Sequence, residues 1–106
     1  MKGRSPTVEE KEWMDDVFEI GCIVCLEFMS VFTPCEVHHL EGKTKPGAHL
    51  KTIGLCSLHH RHKSNDGQWV SRHGDGKAAF EAEYAKEERL VELVRGRVKQ
   101  LEGLRV

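Results

Sequence analysis

The chain has 106 residues, 39% of them apolar and 31% charged, with ten Gly and three Pro. That profile fits one hydrophobic core, and it excludes two independent domains, a collagen-like chain or a low-complexity one. Net charge is −1, but residues 38–77 carry seven Lys/Arg against three Asp/Glu and hold all seven histidines, a local basic excess of the kind that contacts phosphate. By contrast, residues 1–37 carry three Lys/Arg against eight Asp/Glu, and residues 78–106 carry six of each sign. No stretch approaches the roughly 18 consecutive apolar residues of a membrane span, and MKGRSPTVEEKEWMDD has no apolar secretory core. A cytoplasmic protein is expected, with no membrane partner.

In chain order, Thr7 is placed to cap a helix over 7–20, with Glu10 three residues on completing a capping box. Trp13, Met14, Val17, Phe18 and Ile20 recur at helical spacing as a core-facing stripe, which Gly21 ends. Strand-formers between Met29 and Leu40 are interrupted by Pro34, and CEVHHL reads as a short strand delivering two histidines at its end. EGKTKPG is turn chemistry and HLKTIGL reads as a second strand, so a β-hairpin with a long basic loop is expected. CSLHHRHKS should open a short helix, and SNDGQWVSRHGDG reads as a loop anchored by Trp69 and Val70. Over 77–103 the chain is helical, with Phe80, Tyr84, Val91, Val94, Val98 and Leu101 as its stripe. AKEER splits that region into two helices, and Gly96 weakens the second.

Four Cys and seven His carry the chemistry. With no sign of secretion, close-spaced Cys beside His points to metal or catalysis more than to disulfides. Cys22 and Cys25 are separated by two residues, as are Cys56 and His59, and each such pair lets one turn offer two ligands to a tetrahedral zinc. The hooks lie thirty residues apart, more than the roughly 15–20 of a simple zinc ribbon. The proposed hairpin fills that insertion, so a zinc on Cys22, Cys25, Cys56 and His59 would staple a ββα core over 22–65. Cys35 reads as a buried small hydrophobe, with replacement of His59 at the zinc as the alternative. His38 and His39, adjacent on a strand, point to opposite faces and suit a division of labour between metal ligand and proton acceptor. His59 and His60, about 100° apart on a helix, can likewise serve two sites, one structural and one catalytic.

CxxC, then HH at a strand end, then LCxxHH follows the motif order of the HNH endonucleases with the ββα-metal fold. Those proteins usually show CxxC as the second hook, where this chain has His59 in the last place. More narrowly, HHLEGKTKPGAHLKTIGLCSLHHRHKSNDG followed by SRHGDGKAAFEAEYAKEERL resembles the Ref recombination-enhancement nuclease family of phages and prophages. The resemblance covers roughly residues 22–94. It implies an α+β protein, a small ββα-metal domain over 1–106 with a structural zinc, flanked by N-terminal and C-terminal helices. The implied activity is metal-dependent endonuclease cleavage of DNA on which the host recombinase RecA has formed a filament, in the cytoplasm of a bacterial host. Carried over residue by residue, the HNH pattern makes His39 the general base and His38 a ligand of the catalytic divalent ion, whether magnesium, manganese or zinc. His60 matches the later metal-binding histidine of the helix. The central Asn of the motif is missing, and His49 stands in its place as the orienter of the base. His73 matches a His-Gly of the Ref family and would be a third metal ligand or a phosphate contact. Lys43, Lys45, Lys51, Arg61 and Lys63 would hold flanking phosphates. Two readings from other classes compete: a zinc-stapled DNA- or protein-binding module with an inactive centre, and a CxxC redox protein.

Overall fold

A computed structural model of the chain describes residues 5–42 and 47–104. Helix α1, Val8–Ile20, starts at the expected cap: Glu10 N–H donates to Thr7 Oγ1 at 3.1 Å, and Thr7 N–H donates to Glu10 Oε1 at 2.8 Å. Its inner face is Trp13, Val17 and Ile20, while Phe18 lies about 100° round from Val17 and is 61% exposed, so the core-facing stripe is narrower than its apolar composition suggests. Gly21, at φ 86°, ends α1 with its N–H on the Val17 carbonyl.

A second helix, α2 over Ile23–Met29, follows at once; the strand-forming composition around it gave no sign of it. Cys22 caps it, its Sγ accepting from Cys25 N–H at 3.4 Å. Seven residues, apolar but for Glu27, are too few to show a helical period, and here the cap starts the helix. The chain leaves α2 through Ser30 in the left-handed region and reaches β1, Glu36–His39.

β1 pairs antiparallel with β2, Thr52–Leu55, in the register Glu36 with Leu55, Val37 with Gly54, His38 with Ile53 and His39 with Thr52. The second strand is shorter than HLKTIGL suggested. Gly47, at φ 77°, opens a 3-10 turn over Ala48–Leu50 instead, and this turn buries His49. All four residues of β2 are buried, with α1, α2 and α5 packed around the strand. Gly54 sits where a side chain has no room: a Cβ there would stand 2.4 Å from the Gly21 carbonyl oxygen and 2.6 Å from Cys35 Sγ.

Leu55 runs directly into Cys56 and the one-turn helix α3, Ser57–His60. After an irregular segment come α4, Lys77–Glu83, and α5, Glu87–Leu104, divided at Tyr84–Lys86 where the AKEER stretch lies. Gly96 does not interrupt α5. The core joins Val17, Ile23, Val24, Ile53, Leu55, Phe80, Leu90, Val94 and Val98. This is an α+β arrangement: a two-stranded antiparallel sheet followed by a short helix, with helices on either side in sequence and a Cys/His cluster at the hairpin base, consistent with a ββα-metal fold.

Candidate metal centres and the strand-end histidines

Both hooks are built the same way. Cys22 and Cys56 occupy the cap positions of α2 and α3, and Cys25 and His59 follow three residues later in the first helical turn. The four ligand atoms, all buried, lie within 4.8 Å of one another. Cys25 Sγ is 3.9 Å from Cys56 Sγ and 3.6 Å from His59 Nδ1; Cys22 Sγ is 3.7 Å and Cys56 Sγ 3.1 Å from the same nitrogen. Zinc–sulfur bonds of about 2.3 Å, arranged tetrahedrally, give edges of about 3.8 Å, so the group is already near the size of a zinc tetrahedron. None of the cysteines is in a disulfide. Burial pushes the Cys22 and Cys56 thiols up and the His59 imidazole down, so the imidazole is held neutral, the form that binds metal. The donor set could hold a metal such as zinc. His59 Nε2 is buried without a hydrogen-bond partner among the described residues, and the ring stands edge-on to Tyr84 at 5.4 Å.

Cys35 stays out of this group. Its Sγ donates to the carbonyls of Val17 and Phe18 at 3.7 and 3.8 Å, and burial lifts its thiol to about 11. It is the buried small residue that composition suggested.

His38 and His39 do face opposite ways. His38, 4% exposed, enters a second cluster with His60 and His73, whose candidate ligand atoms again lie within 4.8 Å of one another. The ring centroids are 5.1 Å apart for His38 and His60, 5.4 Å for His38 and His73, and 4.9 Å for His60 and His73. His73 is held in place by its backbone: Arg72 N–H donates to the His59 carbonyl and His73 N–H to the His60 carbonyl, laying this loop along the end of α3. Gly74 makes that approach possible, since a Cβ there would stand 2.3 Å from Ser71 Oγ and 2.7 Å from Lys63 N. On the other side of the strand, His39 Nε2 and His49 Nδ1 share a hydrogen bond at 3.0 Å. Trp13 supports the turn beneath, its Nε1–H donating to Thr52 Oγ1, which in turn donates to the His49 carbonyl.

Two carboxylates and one arginine of this centre were not picked out from the sequence. His60 Nδ1 is 2.7 Å from Glu36 Oε1, and His38 Nε2 is 2.9 Å from Glu87 Oε2. Arg61 grips Glu36 through Nε at 2.9 Å and through Nη2, while Arg72 Nε reaches Glu87 Oε2 at 2.7 Å. Hydrogen bonds from Arg61 and His60 bring the Glu36 carboxyl down to about 2. Burial pushes the Glu87 carboxyl up, but hydrogen bonds from His38 and Arg72 outweigh it and leave that carboxyl below its ordinary range. Burial lowers His60, against the pull of Glu36, and lowers His73, with the neighbouring histidines adding to it. Only the strand alternation hinted at Glu36, which shares a face with His38 two residues on. Glu87 lies 49 positions from His38, where no spacing could signal it.

Of the five cations expected on phosphate, Lys43 and Lys45 lie outside the described residues. Lys51 is 3.4 Å from Glu41, an exposed pair, and Lys63 is exposed. Arg61 is exposed too, but its guanidinium is engaged with Glu36.

A family model described as "Recombination enhancement, RecA-dependent nuclease" matches residues 6–99, nearly the whole chain. The chain belongs to this family. Its description is that of a nuclease acting in recombination, with DNA as the implied substrate and RecA as the stated dependence. Among the described residues no helix is long and apolar enough to cross a membrane.

Proposed function

We propose that residues 1–106 form one HNH-type DNA endonuclease domain that hydrolyses phosphodiester bonds in DNA carrying a RecA filament, in a bacterial host and encoded by a phage or prophage. The observation that carries this reading is the strand end itself: one histidine turns into a three-imidazole cluster and its neighbour onto another histidine. Metal-assisted hydrolysis at phosphorus needs a cation site and a separate proton acceptor, and adjacent residues of one strand supply both.

His39 is the general base. In its neutral form an imidazole takes a proton from the attacking water. In the tautomer in which His39 Nε2–H donates to His49 Nδ1, basicity resides on His39 Nδ1, and His49 fixes the ring. His38, His60 and His73 would hold the divalent cation, whether magnesium, manganese or zinc; when bound, it supplies Lewis-acid stabilisation of charge on the phosphate and the 3′-oxygen leaving group. Cys22, Cys25, Cys56 and His59 would hold the structural zinc. Lys43, Lys45, Lys51, Arg61 and Lys63 would hold flanking phosphates, a sequence-independent and salt-sensitive contribution.

The test is cleavage of plasmid and displacement-loop DNA with added magnesium or manganese, with and without a RecA filament on the substrate. His39→Ala should keep fold, zinc content and DNA binding while cleavage falls by roughly 10²–10⁴-fold, the usual worth of a general base. A folded His39→Ala protein with full nuclease activity would overturn the assignment in favour of a zinc-stabilised binding module.

A further inference from the structure

We propose that Glu36 and Glu87 are positioning residues of the three-histidine centre, each fixing which ring nitrogen of one imidazole is offered to the cation. The inference rests on reading that centre as the cation site. A carboxylate only accepts hydrogen bonds, so the nitrogens facing Glu36 and Glu87 carry the imidazole protons. His60 donates from Nδ1 at 2.7 Å and His38 from Nε2 at 2.9 Å. A neutral imidazole has one N–H, so the lone pairs are left on opposite ring atoms: Nε2 of His60 and Nδ1 of His38. The two ligands are thereby set in different tautomers, a choice the isolated side chains would not make uniformly.

Each carboxylate is itself held. Arg61, just beyond α3, takes Glu36 of β1 through two nitrogens, and Arg72 takes Glu87 at the start of α5. An arginine has five donors and no acceptor, so the carboxylates stay acceptors toward the histidines. Each chain of contacts runs Arg–Glu–His toward the centre, and each ties together elements far apart in sequence. Glu87 is 1% exposed, and its Oε1 has no hydrogen-bond partner among the described residues, so its charge acts on His38 and Arg72 without screening by water. A carboxylate behind a ligating imidazole orients the ring and raises its basicity toward metal. His73, exposed and with no carboxylate hydrogen-bonded to its ring among the described residues, completes the cluster.

The experiment titrates Mn²⁺ into the zinc-loaded full chain, without DNA, by calorimetry, and reads the histidine tautomers from ¹⁵N chemical shifts. The wild type should show His60 as the Nδ1–H form and His38 as the Nε2–H form. Glu36→Gln and Glu87→Gln should each weaken Mn²⁺ binding by roughly 10–100-fold, with the zinc retained and the corresponding tautomer signal lost or mixed. Glu36 is partly exposed, so Glu36→Gln remains informative if removing the buried Glu87 charge prevents folding. Wild-type Mn²⁺ affinity in a folded Glu36→Gln, or His60 in the Nε2–H form, would overturn the positioning role and leave the cation site standing. Mn²⁺ binding that survives both His38→Ala and His60→Ala would overturn the cation site itself, and the positioning role with it.

Discussion

Cys56→Ser isolates the energetic weight of the staple. Cys56 is the cap residue of α3, yet its side chain makes no capping hydrogen bond. Serine is the better cap, so the substitution leaves α3 at least as well started as before. What it removes is one of four ligands. Cys25 and Cys56 are 31 positions apart, so only the folded chain brings the two hooks to one ion, and losing the ion removes its binding free energy from the folded state alone. Structural zinc is worth about 10–16 kcal/mol in small zinc-finger peptides at pH 7, so a loss of about 4 kcal/mol is a lower bound. For a domain of this size, about 4 kcal/mol corresponds to a drop in Tm of roughly 15–30 °C. The assay is thermal unfolding followed by circular dichroism, with zinc counted by elemental analysis on the same sample. Wild-type protein stripped by a strong chelator should fall to the Tm of Cys56→Ser, and chelator should not lower the variant further. A zinc-free Cys56→Ser that melts with the wild type would refute the staple.

Gly54→Ala brings a methyl against the Gly21 carbonyl and Cys35, neither of which can swing aside, so stability should fall by about 1–3 kcal/mol in denaturant titration; unchanged stability would show that the α1–α2 junction yields. Gly74→Ala should push the Arg72–His73 strip off α3, weakening Mn²⁺ binding while zinc content stays at the wild-type level; full Mn²⁺ affinity would mean that His73 does not depend on this close approach. Lys51→Ala with Lys63→Ala should reduce the slope of log DNA affinity against log salt by about 1.8, since each phosphate contact contributes about 0.9. An unchanged slope would mean that neither lysine reaches the backbone.

Features set by short spacings were legible in the sequence. The Thr7 capping box, both metal hooks and the opposed faces of His38 and His39 depend on two- or three-residue periods that a strand or a helical turn fixes locally. α2 was hidden because its seven residues, apolar but for Glu27, are too few to show a helical period and its cap is a cysteine already claimed by the metal reading. His49 was placed one element wrong: strand-like composition in HLKTIGL was overridden by Gly47, whose positive φ starts a 3-10 turn instead. The carboxylate partners were hidden for a different reason. Glu36 and Arg61 are 25 positions apart, and Arg72 and Glu87 are 15, so in the sequence each reads as a surface charge. Their meaning comes only from the tertiary arrangement that brings β1, α3 and the start of α5 together.

Helix α3 gives adjacent residues to two clusters, His59 to one and His60 to the other. One peptide bond is then the whole distance between the two binding equilibria. With an ion in each cluster the two sites would be coupled through α3, and by thermodynamic linkage whatever factor one ion imposes on the affinity of its neighbour is returned in kind. Chelator inhibition of such a nuclease therefore carries no information about which ion was lost. Selective add-back, zinc first and then the divalent cation, separates the two: the first should restore the melting temperature and the second the cleavage.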